Sequence, residues 1–273
     1  MSLKVVTNNE VKALAPHTFK YSVAILEYHS KNNNFVGSGT LVQLGSRFFI
    51  ATAAHNLTDD NHVGISDDCL FIACKKRTSQ QLPFLSRKPS AEEEEPAIDV
   101  GYIEISSDTA ASMTENEFLP LSRIRPFVDY WPTRVFLTGF PAGIVSLEAA
   151  RRNRFHLDAI GYLTETKKLN DMEYKHDKST DVFIDYEQNS VFVENQEVIQ
   201  MPEPHGLSGG GLWALPITQG GAIWAPQETM LIGIERSRKS PNILCCTQIQ
   251  HWLMSVAEGY SDLRETIHCY LQS

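Results

Sequence analysis

The sequence predicts an all-β protein: two six-stranded antiparallel β-barrels followed by a C-terminal helix. Three observations point there. Short runs rich in β-branched and aromatic residues recur along the chain with turn residues between them. These runs fall into two groups, separated by an irregular stretch that carries Pro126 and Pro132. The tail from Gln248 to Leu271 then changes period, with Ile249, Trp252, Leu253, Val256, Leu263 and Ile267 spaced as a helix stripe interrupted at Gly259. A chain of 273 residues is long for one average domain but suits two small barrels packed as a single unit.

Residues 1–16 are polar and mixed, with neither a signal-peptide pattern nor a run long enough to span a membrane. The first barrel is assigned to residues 1–125, with strands over 21–29, 35–44, 47–52, 63–75, 97–106 and 118–124. Turn punctuation such as Asn32-Asn33-Asn34 and Leu44-Gly45-Ser46 separates them. Between the fourth and fifth strands, residues 76–96 contain Arg87-Lys88-Pro89-Ser90 and Glu92-Glu93-Glu94-Glu95 and read as an exposed loop, too polar for the core. The second barrel is assigned to residues 126–273, with strands over 135–140, 155–164, 181–186, 211–215, 230–235 and 242–249. A short helix is expected over 148–154 and a charged loop over 167–178. The C-terminal stripe predicts a helix that buries its apolar face on a barrel.

The most informative stretch is Pro204-His205-Gly206-Leu207-Ser208-Gly209-Gly210-Gly211-Leu212-Trp213. Glycine adopts dihedrals closed to other residues, so Gly206 and Gly209 allow a tight turn that exposes the Ser208 hydroxyl and aims backbone N–H groups at one spot. Two such donors, from Gly206 and Ser208, would form an oxyanion hole. A serine hydroxyl is a weak nucleophile without a base and a group that orients the base. The chain offers both, in Phe48-Phe49-Ile50-Ala51-Thr52-Ala53-Ala54-His55 and in Ala97-Ile98-Asp99-Val100-Gly101-Tyr102-Ile103. In this arrangement Ser208 attacks a carbonyl carbon, His55 takes its proton, and Asp99 orients the imidazole and stabilises its cation.

The order His, Asp, Ser and these three contexts resemble the trypsin-like (chymotrypsin-fold) serine proteases, whose motifs read T-A-A-H, D-hydrophobic and G-x-S-G-G. The resemblance runs from about Tyr21 to Trp252 and implies the two-barrel fold, peptide hydrolysis through an acyl-enzyme, and a protein or peptide substrate. It implies no cofactor. The chain resembles a non-secreted, disulfide-poor member, because neither His55 nor Ser208 has the nearby cysteine that secreted trypsins bridge. Leu207 stands where those enzymes carry the acid that receives a freed N-terminal amine, which argues against zymogen cleavage. Gly211 replaces the family's proline after S-G-G. Pro202 stands where trypsin places its pocket aspartate, so a preference for basic residues does not carry over from that position.

What remains for a specificity pocket is Glu203, His205 and the strand containing Ile234, Glu235 and Arg236, which resembles the family's substrate-pairing wall. Either acid would favour a basic side chain before the scissile bond if it faced the pocket. Pairing of Glu235 with Arg236 or Arg238, or exposure of Glu203, would leave an apolar preference instead.

Charge and cysteines bound the remaining possibilities. With 33 acids against 24 bases the net charge is −9, and the one dense basic patch, Arg151-Arg152-Asn153-Arg154, is too short for a nucleic-acid surface. No spacing among the nine histidines and five cysteines suggests a metal site. The cysteines, Cys69, Cys74, Cys245, Cys246 and Cys269, are odd in number and read as free thiols of a reducing compartment, the cytoplasm. Two competing functions are a catalytically silent module on the same fold and an α/β-hydrolase using G-x-S-x-G. The second needs a histidine after the serine and alternating strands and helices, whereas the downstream candidates here, His251 and His268, sit in or near a lone terminal helix.

Overall fold

The computed structural model describes residues 8–29, 32–58, 70–73, 80–81, 84–90, 98–127, 134–142, 159–168, 179–186, 191–193, 198–199, 203–216 and 225–273. The chain opens with helix α1 (Asn8–Phe19). Eight strands follow: β1 (Ser22–His29), β2 (Asn32–Leu44), β3 (Arg47–Thr52), β4 (Leu70–Ala73), β5 (Gln80–Gln81), β6 (Phe84–Ser90), β7 (Val100–Ile105) and β8 (Leu119–Pro120), with helix α2 (Ser107–Ser112) before the last. They form one sheet in the order β5-β4-β1-β2-β3-β7-β6, with β8 paired to β2.

The second sheet has the order β11-β16-β15-β14-β9-β10-β12-β13. Its strands are β9 (Arg134–Gly139), β10 (Ile160–Glu165), β11 (Asp181–Asp185), β12 (Val191–Val193), β13 (Val198–Ile199), β14 (Gly211–Ala214), β15 (Met230–Ser240) and β16 (Ile243–Gln248). Helices α3 (Ile249–Gly259) and α4 (Ser261–Gln272) end the chain.

Each sheet carries the six strands its barrel was expected to have and two more. The extra pair in the first sheet, β5 and β6, corrects the reading of residues 76–96 as loop. β6 pairs with β7 at the end of the sheet, from Phe84↔Ile105 to Ser90↔Val100. An edge strand tolerates the proline and charges that made this stretch look like solvent. The expected helix over 148–154, and nearly all of the charged loop over 167–178, lie outside the described residues.

Strand alternation sorts the core into layers. Val23, Ile25, Leu41, Ile50, Ile103 and Ile105 fill the inside of the first barrel. Val135, Leu137, Tyr162, Leu212, Ile232 and Leu244 fill the second. The alternate residues of the same strands, including Leu26, Val42, Phe49, Tyr102, Phe136 and Trp213, face a third layer shared with the helices. α3 and α4 close this layer over β7. Trp252 is fully buried and donates its indole N–H to Gly101 O at 3.1 Å. Arg47 bonds Glu104 at 2.7 Å and Asp262 at 2.9 Å beneath the ring of Tyr260. The single expected C-terminal helix is thus two, parted at Gly259-Tyr260.

α1 was not anticipated in the polar leader. It buries Val11, Leu14, Ala15 and Phe19 on one face in the shared layer. Although α1 precedes the first barrel, its Glu10 makes a two-pronged ion pair with Arg134 on β9, at 2.8 and 3.0 Å. In its last turn His17 stands edge-on to Tyr21, with ring centres 5.9 Å apart. Its Nε2 is buried without a hydrogen-bond partner among the described residues. Burial, followed by the charges of Lys20 and Arg123, pushes its pKa down to about 4 against the opposing pull of Glu117.

Because the folded value lies below the unfolded 6.5, the contribution of neutral His17 is complete above pH 6.5 and is lost as pH falls towards 4. The melting temperature should therefore fall more steeply between those two pH values than in His17→Phe, which keeps the ring and removes the titration. Parallel melting curves for the two proteins would refute this.

Candidate functional site

The site forms where the end of β3 meets the start of β7. The antiparallel register sets Thr52 opposite Gly101. The chain beyond Thr52 enters a 3-10 turn, Ala54–Leu57, while Asp99 immediately precedes β7. His55 and Asp99 are therefore brought together by strand pairing. One carboxylate oxygen of Asp99 accepts the His55 backbone N–H at 3.1 Å and the other lies 2.7 Å from Nδ1. An ionised carboxylate only accepts, so Nδ1 carries the proton and Nε2 presents a lone pair.

The His55 side chain is 47% exposed and that of Asp99 22%. Burial by itself would raise the Asp99 pKa. The hydrogen bonds and charge of His55, with the charge of Arg236, outweigh it and hold the carboxyl below its ordinary value.

Ser208 lies in the turn leading to β14. Gly206 and Gly209 take φ values of 93° and 90°, the left-handed region that favours glycine. The N–H groups of Leu207, Gly209 and Gly210 donate to the carbonyls of Pro204, Glu235 and Leu207. Those of Gly206 and Ser208, the two proposed oxyanion donors, have no acceptor among the described residues.

The turn is stitched to the first barrel by residues that sequence reasoning passed over. Ser38 on β2 donates its N–H to Ser208 O at 2.7 Å and its hydroxyl to Gly206 O at 2.8 Å. The same hydroxyl accepts the Phe140 N–H at 2.8 Å, and the Ser38 carbonyl accepts from Thr52 Oγ1 at 2.7 Å. Asn56, directly after His55, adds a bond from Nδ2 to Ser208 O at 2.7 Å. The signal for Ser38 was its place between Gly37 and Gly39, small residues at a close approach.

The hydroxyl of Ser208 points elsewhere. It donates to Arg236 O on β15 at 3.2 Å, and no hydrogen bond joins it to His55 among the described residues.

The expected pocket residues divide. Glu203 is exposed and ion-paired with Arg238 at 2.5 Å, whose other nitrogens hold the carbonyls of Ser240 and Pro241. His205 is exposed. Ile234 is fully buried in the shared layer and presents no side-chain surface. Arg236 is buried and bonds Asp181 at 2.7 Å and Cys245 Sγ at 3.4 Å, so the pairing with Glu235 considered from sequence gives way to one with β11. Glu235 is 2% exposed. Among the described residues no cluster of three or more His, Cys, Asp or Glu is placed to hold a metal ion, and no helix is long and apolar enough to cross a membrane.

Neither a family model nor a curated protein matches the sequence. Solved structures are. The chain is similar to a mutant of human heparin binding protein, at 14% identity and TM-score 0.51, over 89% of this chain and 93% of that one. It is also similar to a scabies mite inactivated protease paralogue (13%, TM-score 0.49, 90% and 97%) and to a Glu endopeptidase (10%, TM-score 0.46, 84% and 85%). At 14% identity the likeness to the heparin binding protein mutant shows the fold alone. The protein has the two-barrel chymotrypsin-like fold with C-terminal helices.

Proposed function

We propose that the protein is a serine endopeptidase that works through an acyl-enzyme, with Ser208 as nucleophile, His55 as general base and Asp99 as its orienting acid. The observation that carries this reading is the double grip of Asp99 on His55. It fixes both the tautomer and the ring, and Asn56, the residue next to that histidine, donates to the Ser208 carbonyl. In the proposed reaction Ser208 turns from Arg236 O towards His55 and adds to the scissile carbonyl carbon. His55 then passes the proton to the leaving amine, and the Gly206 and Ser208 N–H groups receive the oxyanion, a contribution of about 3 to 4 kcal/mol per donor.

With Glu203 ion-paired and Glu235 sealed from solvent, we assign an uncharged residue to the position before the cut. Leu207 is fully buried and apolar, which supports competence without N-terminal trimming. The free thiols of Cys245, Cys246 and Cys269 support a reducing compartment, the cytoplasm.

A fluorophosphonate should label Ser208 in the untrimmed protein and fail to label His55→Ala. A folded protein that resists the probe, or labels equally well without His55, overturns the reading. Resistance of the folded protein would favour the silent binding module, for which the Ser208 bond to Arg236 O is the specific support.

A further inference from the structure

β15 runs alongside the nucleophile turn and is locked to it by a reciprocal pair of main-chain bonds, Gly209 N–H to Glu235 O at 2.7 Å and Glu235 N–H to Gly210 O at 2.8 Å. This brings the Glu235 carboxyl close to Ser208, 2% exposed, with its Oε2 making no hydrogen bond among the described residues. A buried carboxyl oxygen without a partner is rare and calls for an explanation. The nearest cation does not supply one, because the Arg236 guanidinium is turned away onto Asp181 and Cys245.

We propose that Glu235 is a positioning residue for Ser208: as a carboxylate it holds the serine hydroxyl against β15 and away from His55, and as the neutral acid it lets the hydroxyl go. The inference rests on the reading of Ser208 as nucleophile. β15 offers the one proton of Ser208 two acceptors, the Arg236 carbonyl at 3.2 Å and the Glu235 carboxyl. Ionised Glu235 is the stronger of the two, since hydrogen bonds to a charged acceptor are about twice as strong as neutral ones. Its charge would also oppose the oxyanion that forms beside it. The neutral acid does neither.

The groups facing Glu235 set which form prevails. Ser208 comes from the turn, Asp99 from the start of β7, Arg236 from its own strand, its partner Cys246 from β16 and Tyr186 from the end of β11. Burial is the largest influence and raises the carboxyl. Asp99 raises it further, while the Ser208 hydrogen bond and Arg236 lower it, and the outcome is about 8. A folded value above the ordinary carboxylate range means the acid is neutral below about pH 8 and ionises above it. Near neutrality the Ser208 hydroxyl is therefore held only by the neutral Arg236 carbonyl, from which it can turn to His55, and it is captured by the carboxylate as the medium turns alkaline.

The test is the second-order rate of fluorophosphonate labelling of the full chain, measured from about pH 7 to about pH 9.5. The native rate should fall on the order of tenfold across that interval, as for loss of one essential proton. In Glu235→Gln, isosteric and unable to ionise, it should not fall. Glu235→Leu, which suits a buried apolar site, should behave likewise and stands in if the glutamine variant does not fold. Glu235→Asp, which keeps an ionisable group, should restore an alkaline fall. A native rate that holds or rises through pH 9.5, or variants that keep the native decline, would overturn the inference. Absence of labelling at every pH in the native protein and both non-ionisable variants would instead overturn the assignment of Ser208.

Discussion

Asp99→Asn is expected to slow acylation of Ser208 about 10⁴-fold while the protein stays folded. The asparagine carbonyl still accepts the His55 backbone N–H, so the strand junction keeps that 3.1 Å bond. Its amide, however, brings a donor to Nδ1, where the carboxylate sits at 2.7 Å. The ring must then carry its proton on Nε2, and a histidine protonated there cannot take one from serine. Single-turnover labelling at pH 7, beside a thermal melt of the same sample, measures the effect. A loss under about tenfold with an unchanged melt would show that Asp99 serves the strand junction and not the chemistry.

The second large effect falls on stability. Gly209→Ala should destabilise the protein by more than about 4 kcal/mol, in the range reserved for backbone conflicts in a core. A β-carbon at Gly209 would stand 1.8 Å from the Ser38 carbonyl oxygen and 2.3 Å from Thr52 Oγ1, and φ is +90° there. The obstruction is main chain, and it belongs to the strand that stitches the nucleophile turn to the first barrel, so no rotamer change relieves it. Urea unfolding quantifies the loss. Gly45→Ala is the comparison: φ is also positive, but the nearest atom to the added carbon is 3.6 Å away, so only the backbone penalty of about 1 to 2 kcal/mol applies. Equal losses at both positions would mean that the left-handed conformation alone, and not the contact with Ser38, makes Gly209 indispensable.

What the sequence made legible follows from how far each signal reaches along the chain. The strands were readable because their signal is local: a short β-branched and aromatic run such as 47–52 or 181–186 needs no knowledge of the partner strand. The tight turn around Ser208 was readable because its glycines, Gly206 and Gly209, sit beside the serine. β6 was not, since Arg87-Lys88-Pro89 suits solvent and an edge strand equally, and only its pairing with β7 separates them. α1 escaped for a different reason. Its stripe of Val11, Leu14, Ala15 and Phe19 is short, polar residues surround it and Pro16 interrupts it, so the helix owes its stability to the barrel surface it covers. Around the site, the partner of Arg236 lies on β11, far away in sequence, so the sequence could not choose between Asp181 and Glu235. The identity of the acceptor that holds the Ser208 hydroxyl belonged to the same class of question.

The crossing of the two chain ends bears on how the molecule is made. Helix α1 rests on the half synthesised second, and the helices that cover the outer face of the first half, through Trp252, Asp262 and Tyr260, are synthesised after both halves. While translation is under way neither half has its cover. Phe49 and Tyr102 would stand exposed until the tail clears the exit tunnel, then become buried against Trp252 and Tyr260. Such a chain completes its folding only once residues 249–272 are available, as one event, and a nascent form stalled before residue 249 is the species that chaperones would be expected to hold.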